Sequence, residues 1–551
     1  MGSTRVDKKE GDKDLAQDSY NSLERGGVPE GRDPLSVELV TAAPTTSEAM
    51  RARVAAALPD AAFDVEATFD AEEDRYFFVD FPDIDPHGQE IKVFEFARAL
   101  RRDTDAQESN PVLPDSLFGA HHVAGENEGL FSFCETPRDN GRPFGWHHPE
   151  IDTIGAWQHT RGDGSVVAVI DTGYSDHAEL QGVTTSTGEI NLVEGGTDAH
   201  DQFSTGLLKN PGHGTLVMSV VASRGTANSA GQTGAPGAVT GTAPAAKVMP
   251  IRAIRSVIDF NQRRIATAID HAVANGAAVI AMALGGPTRV ASTEAALRRA
   301  ANAGVVIVCA AGNCWPAVVF PAAYAPLGVC TAVAALQPDR RPWKKSGRGG
   351  QVSFSAFGEQ VWGAAKNKAS DPDGGIRASQ GTTLATSMTA GVAALWVAKH
   401  GGRAALKQIA DQRGTTVQAM WISCATRNMQ PPAVWNGALD LGAGVLNAHA
   451  ALEADLPGAT EAPAAPEAEA VSTLNILQMH LAGSSEAIAA EAVTAEMADL
   501  APELIWLSYR RGAMKRMLET DSEAALSEDV PSPAVAAALA ASPALRSAIG
   551  G

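Results

Sequence analysis

Short, mostly apolar runs recur through the middle of this chain, at 166–170, 247–251, 279–283, 305–309 and 330–334. Runs of that length without polar alternation predict strands buried on both faces. Between and after them, apolar residues recur at helical spacing over 214–223, 260–275, 293–303 and 385–400. Strands alternating with helices predict an α/β fold, a doubly wound and mainly parallel sheet, over residues 151–455.

The flanks read differently. Residues 1–35 are polar, rich in Asp, Glu, Lys and Gly, and are expected to be disordered. From 36 to 115 the pattern becomes β-α-β-β-α-β. Strands are predicted at 37–40, 63–67, 76–81 and 111–115, and helices at 47–58, with Thr46 or Ser47 as cap, and at 91–100. That order predicts a small α+β domain of the split β-α-β kind. Residues 116–150 form a connector with many Gly, His and Pro, and 456–472 an Ala/Pro/Glu-rich linker. The last region, 473–551, shows helical spacing at 474–481, 486–500 and 503–518, then a weakly amphipathic Ala-rich end.

With 551 residues the chain exceeds what one core accommodates. A formal net charge of −20 and the lack of a long Lys/Arg run argue against a nucleic-acid partner. No stretch of about 18 apolar residues predicts a membrane helix. The charged start, with no apolar run behind it, carries no secretory signal, so a cytoplasmic location without membrane partners is expected. Five cysteines, Cys134, Cys309, Cys314, Cys330 and Cys424, cannot all pair and share no metal-ligand spacing. They are expected to be buried reduced thiols. The aspartates form no calcium-loop spacing, so neither metal nor cofactor is expected.

The chemistry lies at the ends of the buried strands. Val167-Ala168-Val169-Ile170 runs into Asp171-Thr172-Gly173, and catalytic groups gather at the carboxyl ends of such strands. A carboxylate there can accept the Nδ1 proton of a histidine and fix its tautomer. His213 stands between Gly212 and Gly214 at the start of an apolar helix, and flanking glycines let the backbone place an imidazole without side-chain crowding. The 305–309 strand continues through Ala310, Ala311 and Gly312 into Asn313. Each signal alone also fits a turn or a loop.

Together, in the order Asp171, His213, Asn313 and then Gln380-Gly381-Thr382-Thr383-Leu384-Ala385-Thr386-Ser387, they resemble the subtilisin-like serine peptidases. The resemblance implies an Asp-His-hydroxyl triad with Asn313 donating to the oxyanion. Met282-Ala283-Leu284-Gly285-Gly286 resembles the family's substrate-binding strand, where an extended peptide adds as a further strand. The resemblance implies that Ala310, Ala311 and Gly312 wall the other side of the first specificity pocket. Small residues on both walls predict a roomy pocket. Domains like 36–115 precede many such peptidases as propeptides that assist folding and inhibit. The implied partners are a peptide or protein substrate and an intramolecular N-terminal inhibitory domain.

The nucleophile position departs from the family. Its pattern places a glycine eight residues after the serine, and counting back from Gly391 lands on Thr383. Thr386-Ser387-Met388 mimics the motif, yet Ser387 lies one turn on, about 6 Å along the helix, away from the helix start. A threonine hydroxyl has serine's chemistry, but β-branching restricts χ1 and adds a methyl where the acyl group needs room. The expectation is a serine-type endopeptidase whose activity Thr383 lowers or abolishes. The alternative is a catalytically impaired pseudo-peptidase acting as a peptide-binding or regulatory module.

Overall fold

The computed structural model describes residues 15–29, 33–69, 71–113, 142–204, 209–225, 239–257, 262–313, 318–438, 440–458, 471–482, 493–519 and 530–549. Most of the predicted connector with Cys134, most of the Ala/Pro/Glu linker, Cys314, and the starts of the predicted 260–275 and 486–500 helices lie outside the described residues.

The central sheet has seven strands: Val166–Asp171 (β5), Ile190–Asn191 (β6), Lys247–Arg252 (β7), Val279–Met282 (β8), Val306–Ala310 (β9), Thr331–Leu336 (β10) and Phe354–Phe357 (β11). Their order is β11-β10-β9-β8-β5-β7-β6, and every pairing is parallel. β5 therefore lies inside the sheet, which is why its sequence is apolar without alternation. Helices His213–Ala222 (α4), Arg263–Ala274 (α5), Ala291–Asn302 (α6) and Thr382–Lys399 (α7) follow the predicted segments. α7 crosses β8 to β11 and packs on α4, while α5 pairs with α6. The short β6, the hairpin Val361–Ala364 (β12) with Ile376–Ser379 (β13), and helices Arg403–Arg413 (α8) and Val417–Thr426 (α9) had no clear apolar period to announce them.

Ahead of this body stands an antiparallel sheet of Leu35–Thr45 (β1), Asp64–Ala67 (β2), Asp74–Phe81 (β3) and Glu108–Val112 (β4), ordered β2-β3-β1-β4. Helices Ser47–Ala57 (α2) and Glu90–Asp103 (α3) complete it, and the Thr46 hydroxyl caps α2 by accepting from the Ala49 amide at 3.1 Å. The disorder expected before residue 36 is corrected in part, because Leu15–Ser22 is a helix (α1). Ala16, Tyr20 and Leu23, at helical spacing, are buried, and the Tyr20 ring lies 6.0 Å from Phe81 and 5.9 Å from Phe96. A few apolar residues suffice where a core already waits to receive them, and average composition hid them.

The C-terminal helices Thr473–Ala482 (α10), Ala501–Glu519 (α11) and Pro533–Ala541 (α12) tie both bodies together. The fully buried Glu503 carboxylate accepts from Arg98 of α3 at 2.7 Å and from the Ser532 amide at 2.7 Å. Thr473 donates its amide to Glu108 of β4 at 2.9 Å, and Arg289 donates to that same carboxylate at 2.9 Å. Among the described residues no helix is long and apolar enough to cross a membrane. Cys309, Cys330 and Cys424 are buried free thiols, and burial pushes Cys424 up to about 11.

His147 and His148 are both buried, with ring centroids 4.3 Å apart. Burial drives His148 down to about 4, against the pull of its 2.9 Å bond to the Thr240 carbonyl. The unfolded chain, titrating near 6.5, takes up a proton that the native site refuses. The stability of the neutral ring is thus present above 6.5 and lost as pH falls towards 4, by roughly 3 kcal/mol for His148. Thermal melting should show this loss, and His148→Gln should make the fall shallower. An identical pH profile in that variant would exclude His148 as its source.

Candidate active site

β5 delivers Asp171 to the interior of the sheet's carboxyl edge, where the Thr172 amide donates to its Oδ1 at 2.7 Å. His213 opens α4 where backbone segments crowd together. A Cβ on Gly212 would lie 2.0 Å from the Lys366 carbonyl oxygen, and one on Gly214 2.0 Å from that of Gly173. Only glycines on both sides let this helix start so close to the strand end.

His213 Nδ1 lies 2.9 and 3.0 Å from the two carboxylate oxygens of Asp171, and Nε2 lies 3.1 Å from Thr383 Oγ1. An ionised carboxylate only accepts, so Nδ1 carries the proton and the neutral ring keeps Nε2 free to accept from the threonine hydroxyl. Asp171 and Thr383 are buried, and the imidazole between them is 14% exposed.

Asn313 follows β9 and meets the start of α7. Its Oδ1 accepts from both the Thr382 amide and the Thr382 hydroxyl, each at 2.8 Å. Two donors on one atom identify it as the oxygen and leave Nδ2 with protons to give. The Thr383 amide, in the first turn of α7, has no acceptor within the helix. Ser387 is fully buried and donates its hydroxyl back to the Thr383 carbonyl at 2.7 Å. The geometry brings Asp171, His213, Asn313 and Thr383 together and leaves Ser387 inside the helix.

A second tier of polar residues was not legible in the sequence. The Thr172 hydroxyl donates to Asp201 at 3.0 Å and accepts from the Gly214 amide at 3.1 Å, while the Gly212 amide donates to Asp201 at 2.7 Å. Both glycines beside His213 are thereby tied to the end of β5. Arg252, paired with Asp171 across β5 and β7, donates to both oxygens of Glu194 at 2.7 Å and to the Thr172 carbonyl. Those bonds hold the Glu194 carboxyl down at about 2. Asp201 lies in a loop with no periodicity or motif to single it out.

The anticipated binding walls lie beside this group. Ala283 and Leu284 are buried at the end of β8, and the Gly285 amide donates to the Val257 carbonyl at 2.9 Å, so that edge is already paired at Gly285. Ala310, Ala311 and Gly312 follow β9. Residues 319 and 320 bridge the walls: the Val319 amide donates to Ala311 at 3.0 Å, and Phe320 and Gly286 exchange bonds of 2.9 and 3.0 Å. The small residues do not leave the space beside Gly285 and Gly312 empty. The Val319 methyls occupy the place where a Cβ would project from either glycine, 2.5 Å from one built on Gly285 and 2.9 Å from one built on Gly312.

Among the described residues one trio of potential metal ligands comes together, Glu189, Asp198 and His200. Its atoms are engaged with protein partners. Glu189 accepts from the Ala199 amide at 2.8 Å, and His200 Nδ1 lies 2.6 Å from Asp198.

Comparison with known proteins bears on the same region. The Subtilase family model matches residues 162–437. Thermitase of Thermoactinomyces vulgaris is 32% identical over 289 residues, covering 50% of this chain and 92% of the relative. Mycosin-3 of Mycobacterium tuberculosis is 30% identical over 421 residues, 65% of this chain and 81% of its own. The solved structure of fervidolysin from Fervidobacterium pennivorans, a keratinolytic enzyme related to subtilisin, shares the fold with a TM-score of 0.52 at 18% identity, covering 79% of this chain and 63% of that one. From the parallel sheet, the ordered motifs at its carboxyl edge and these matches, the chain belongs to the Subtilase family of serine peptidases.

Proposed function

We propose that the protein is an endopeptidase that uses Thr383 in the serine's place. The observation that carries this reading is the unbroken path from Asp171 through His213 to the Thr383 hydroxyl. As Oγ1 attacks a peptide carbonyl carbon, its proton passes to His213 Nε2, and Asp171 steadies the imidazolium. The carbonyl oxygen, now an oxyanion, takes donation from Asn313 Nδ2 and the Thr383 amide. His213 then hands its proton to the leaving amine, and water releases the acyl group by the reverse sequence. The extended substrate lies along Ala283, Leu284 and Gly285, with Ala310, Ala311 and Gly312 opposite.

Thr383 sets the rate. Its extra methyl narrows the χ1 choices of the attacking oxygen, and a misplacement of about 1 Å costs around 10²-fold. The N-terminal domain acts as an inhibitory propeptide, a role supported by its Glu38 carboxylate, which accepts from the Ala291 and Ser292 amides at the start of α6 at 2.8 Å each. A second reading, an impaired peptidase that binds peptides without cutting them, draws support from that methyl and from the pairing already made by Gly285.

The test is a fluorophosphonate probe on the full chain and on Thr383→Ser. Labelling of both at position 383, faster in the serine variant by up to about 10²-fold, supports the endopeptidase. Labelling of the serine variant alone supports the binding module. Labelling at Ser387 overturns the assignment of the nucleophile.

A further inference from the structure

We propose that Val319 sets the specificity of this peptidase by filling the floor of the first pocket, so that the residue before the scissile bond must be small: glycine, alanine or serine. The inference rests on the endopeptidase reading for the identity of the pocket. Its own support is where this side chain sits. One pocket wall follows β8 and carries Gly285; the other follows β9 and carries Gly312. Neither glycine has a side chain, and the space that this leaves is taken by one isopropyl group. Val319 Cγ2 would lie 2.5 Å from a Cβ on Gly285, and both methyls 2.9 Å from a Cβ on Gly312. The walls are small because a third residue stands between them.

That residue is held from every side. Its amide donates to the Ala311 carbonyl at 3.0 Å, and the next residue exchanges two bonds with Gly286, so the backbone at 319–320 is fastened to both walls. Behind it, the buried Tyr509 of α11 donates its hydroxyl to the Val318 carbonyl and sets its ring 6.2 Å from that of Phe320. Valine is stiff at χ1, and this one is buried, so no swing of the side chain reopens the space. A benzyl or isobutyl group entering between Gly285 and Gly312 therefore meets the methyls. A single methyl group, the shortest of these side chains, extends least towards them.

The experiment uses the full chain carrying Thr383→Ser, with fluorogenic peptides that differ only in the residue before the cleaved bond: Gly, Ala, Leu or Phe. With Val319 in place, kcat/KM for alanine should exceed that for phenylalanine by about tenfold or more. Val319→Gly should remove that preference by raising the phenylalanine value about tenfold or more, and Val319→Ala should fall between them. Equal cleavage of alanine and phenylalanine peptides by the Val319 chain would overturn the inference, as would an unchanged ratio in Val319→Gly that still takes the fluorophosphonate label. Anisotropy of labelled product peptides ending in Ala or Phe reads the same pocket without chemistry. If no variant reacts but the Ala-ended peptide binds more tightly and the difference vanishes in Val319→Gly, the pocket stands and the endopeptidase reading falls. If binding too is indifferent to the last residue, both fall.

Discussion

Asn313→Ala should lower peptide turnover by about 10²–10³-fold while leaving KM near its starting value. That range is known from subtilisin itself and is carried here by family membership. A donor to the oxyanion meets its acceptor fully only when the carbonyl carbon becomes tetrahedral, so its removal falls on kcat. Asn313 has a second duty, however. Its Oδ1 accepts both the amide and the hydroxyl of Thr382 at 2.8 Å, and alanine leaves the first turn of α7 without those bonds. Asn313→Asp separates the two. The carboxylate keeps an acceptor for Thr382, supplies no proton to the oxyanion, and sets a negative charge against the developing one. If the amide acts as donor, aspartate is at least as slow as alanine although its melting midpoint recovers. Recovery of turnover in the aspartate variant would mean that Asn313 serves α7 alone. Both belong in the Thr383→Ser background, where the starting rate is highest.

What the sequence revealed, and what it concealed, divides along range of contact. β5, β7, β8, β9 and β10 were legible because a strand buried on both faces must be apolar throughout. The placement of Thr383 was legible because Gly391 and the helix after it allow one register, and its hydroxyl lies 3.1 Å from His213. Asp201 and Arg252 were not legible: each is an ordinary charged residue until the fold places it behind Asp171. Glu503 reads as a solvated position on a helix, yet its partner Arg98 lies 405 residues earlier, and the carboxylate is fully buried where three parts of the chain meet. Val319 misled in a different way. Gly285 and Gly312 were read as empty space, but whether the absence of a side chain leaves room depends on which segment folds across it.

Glu38→Ala should cost on the order of 3–5 kcal/mol of stability, the usual penalty for removing one partner from a buried ionic cluster. The reason begins with α6. That helix starts after Val290, which has no side-chain oxygen to cap it, so its first amides need an acceptor from elsewhere. Glu38, fully buried on β1 of the N-terminal domain, supplies it. Oε2 accepts from the Ala291 amide at 2.8 Å and from Asn110 at 3.1 Å; Oε1 accepts from the Ser292 amide and hydroxyl at 2.8 Å each. A carboxylate at a helix N-terminus also gains from the helix dipole. Alanine strands these donors and takes one anion away from the buried Arg289, which keeps Glu108 at 2.9 Å and Glu294 at 3.3 Å. Glutamine keeps the volume but turns an NH2 group against one set of donors, so its loss should be smaller but still clear. Denaturant unfolding of the full chain measures both. An unchanged midpoint in Glu38→Ala would mean that the two domains are not coupled through this carboxylate. The same preparation tells a propeptide from an accessory domain. If the N-terminal domain inhibits, weakening its hold on α6 raises hydrolysis by the Thr383→Ser chain before the peptidase body melts; if it only braces the fold, stability falls and the rate below the transition does not change.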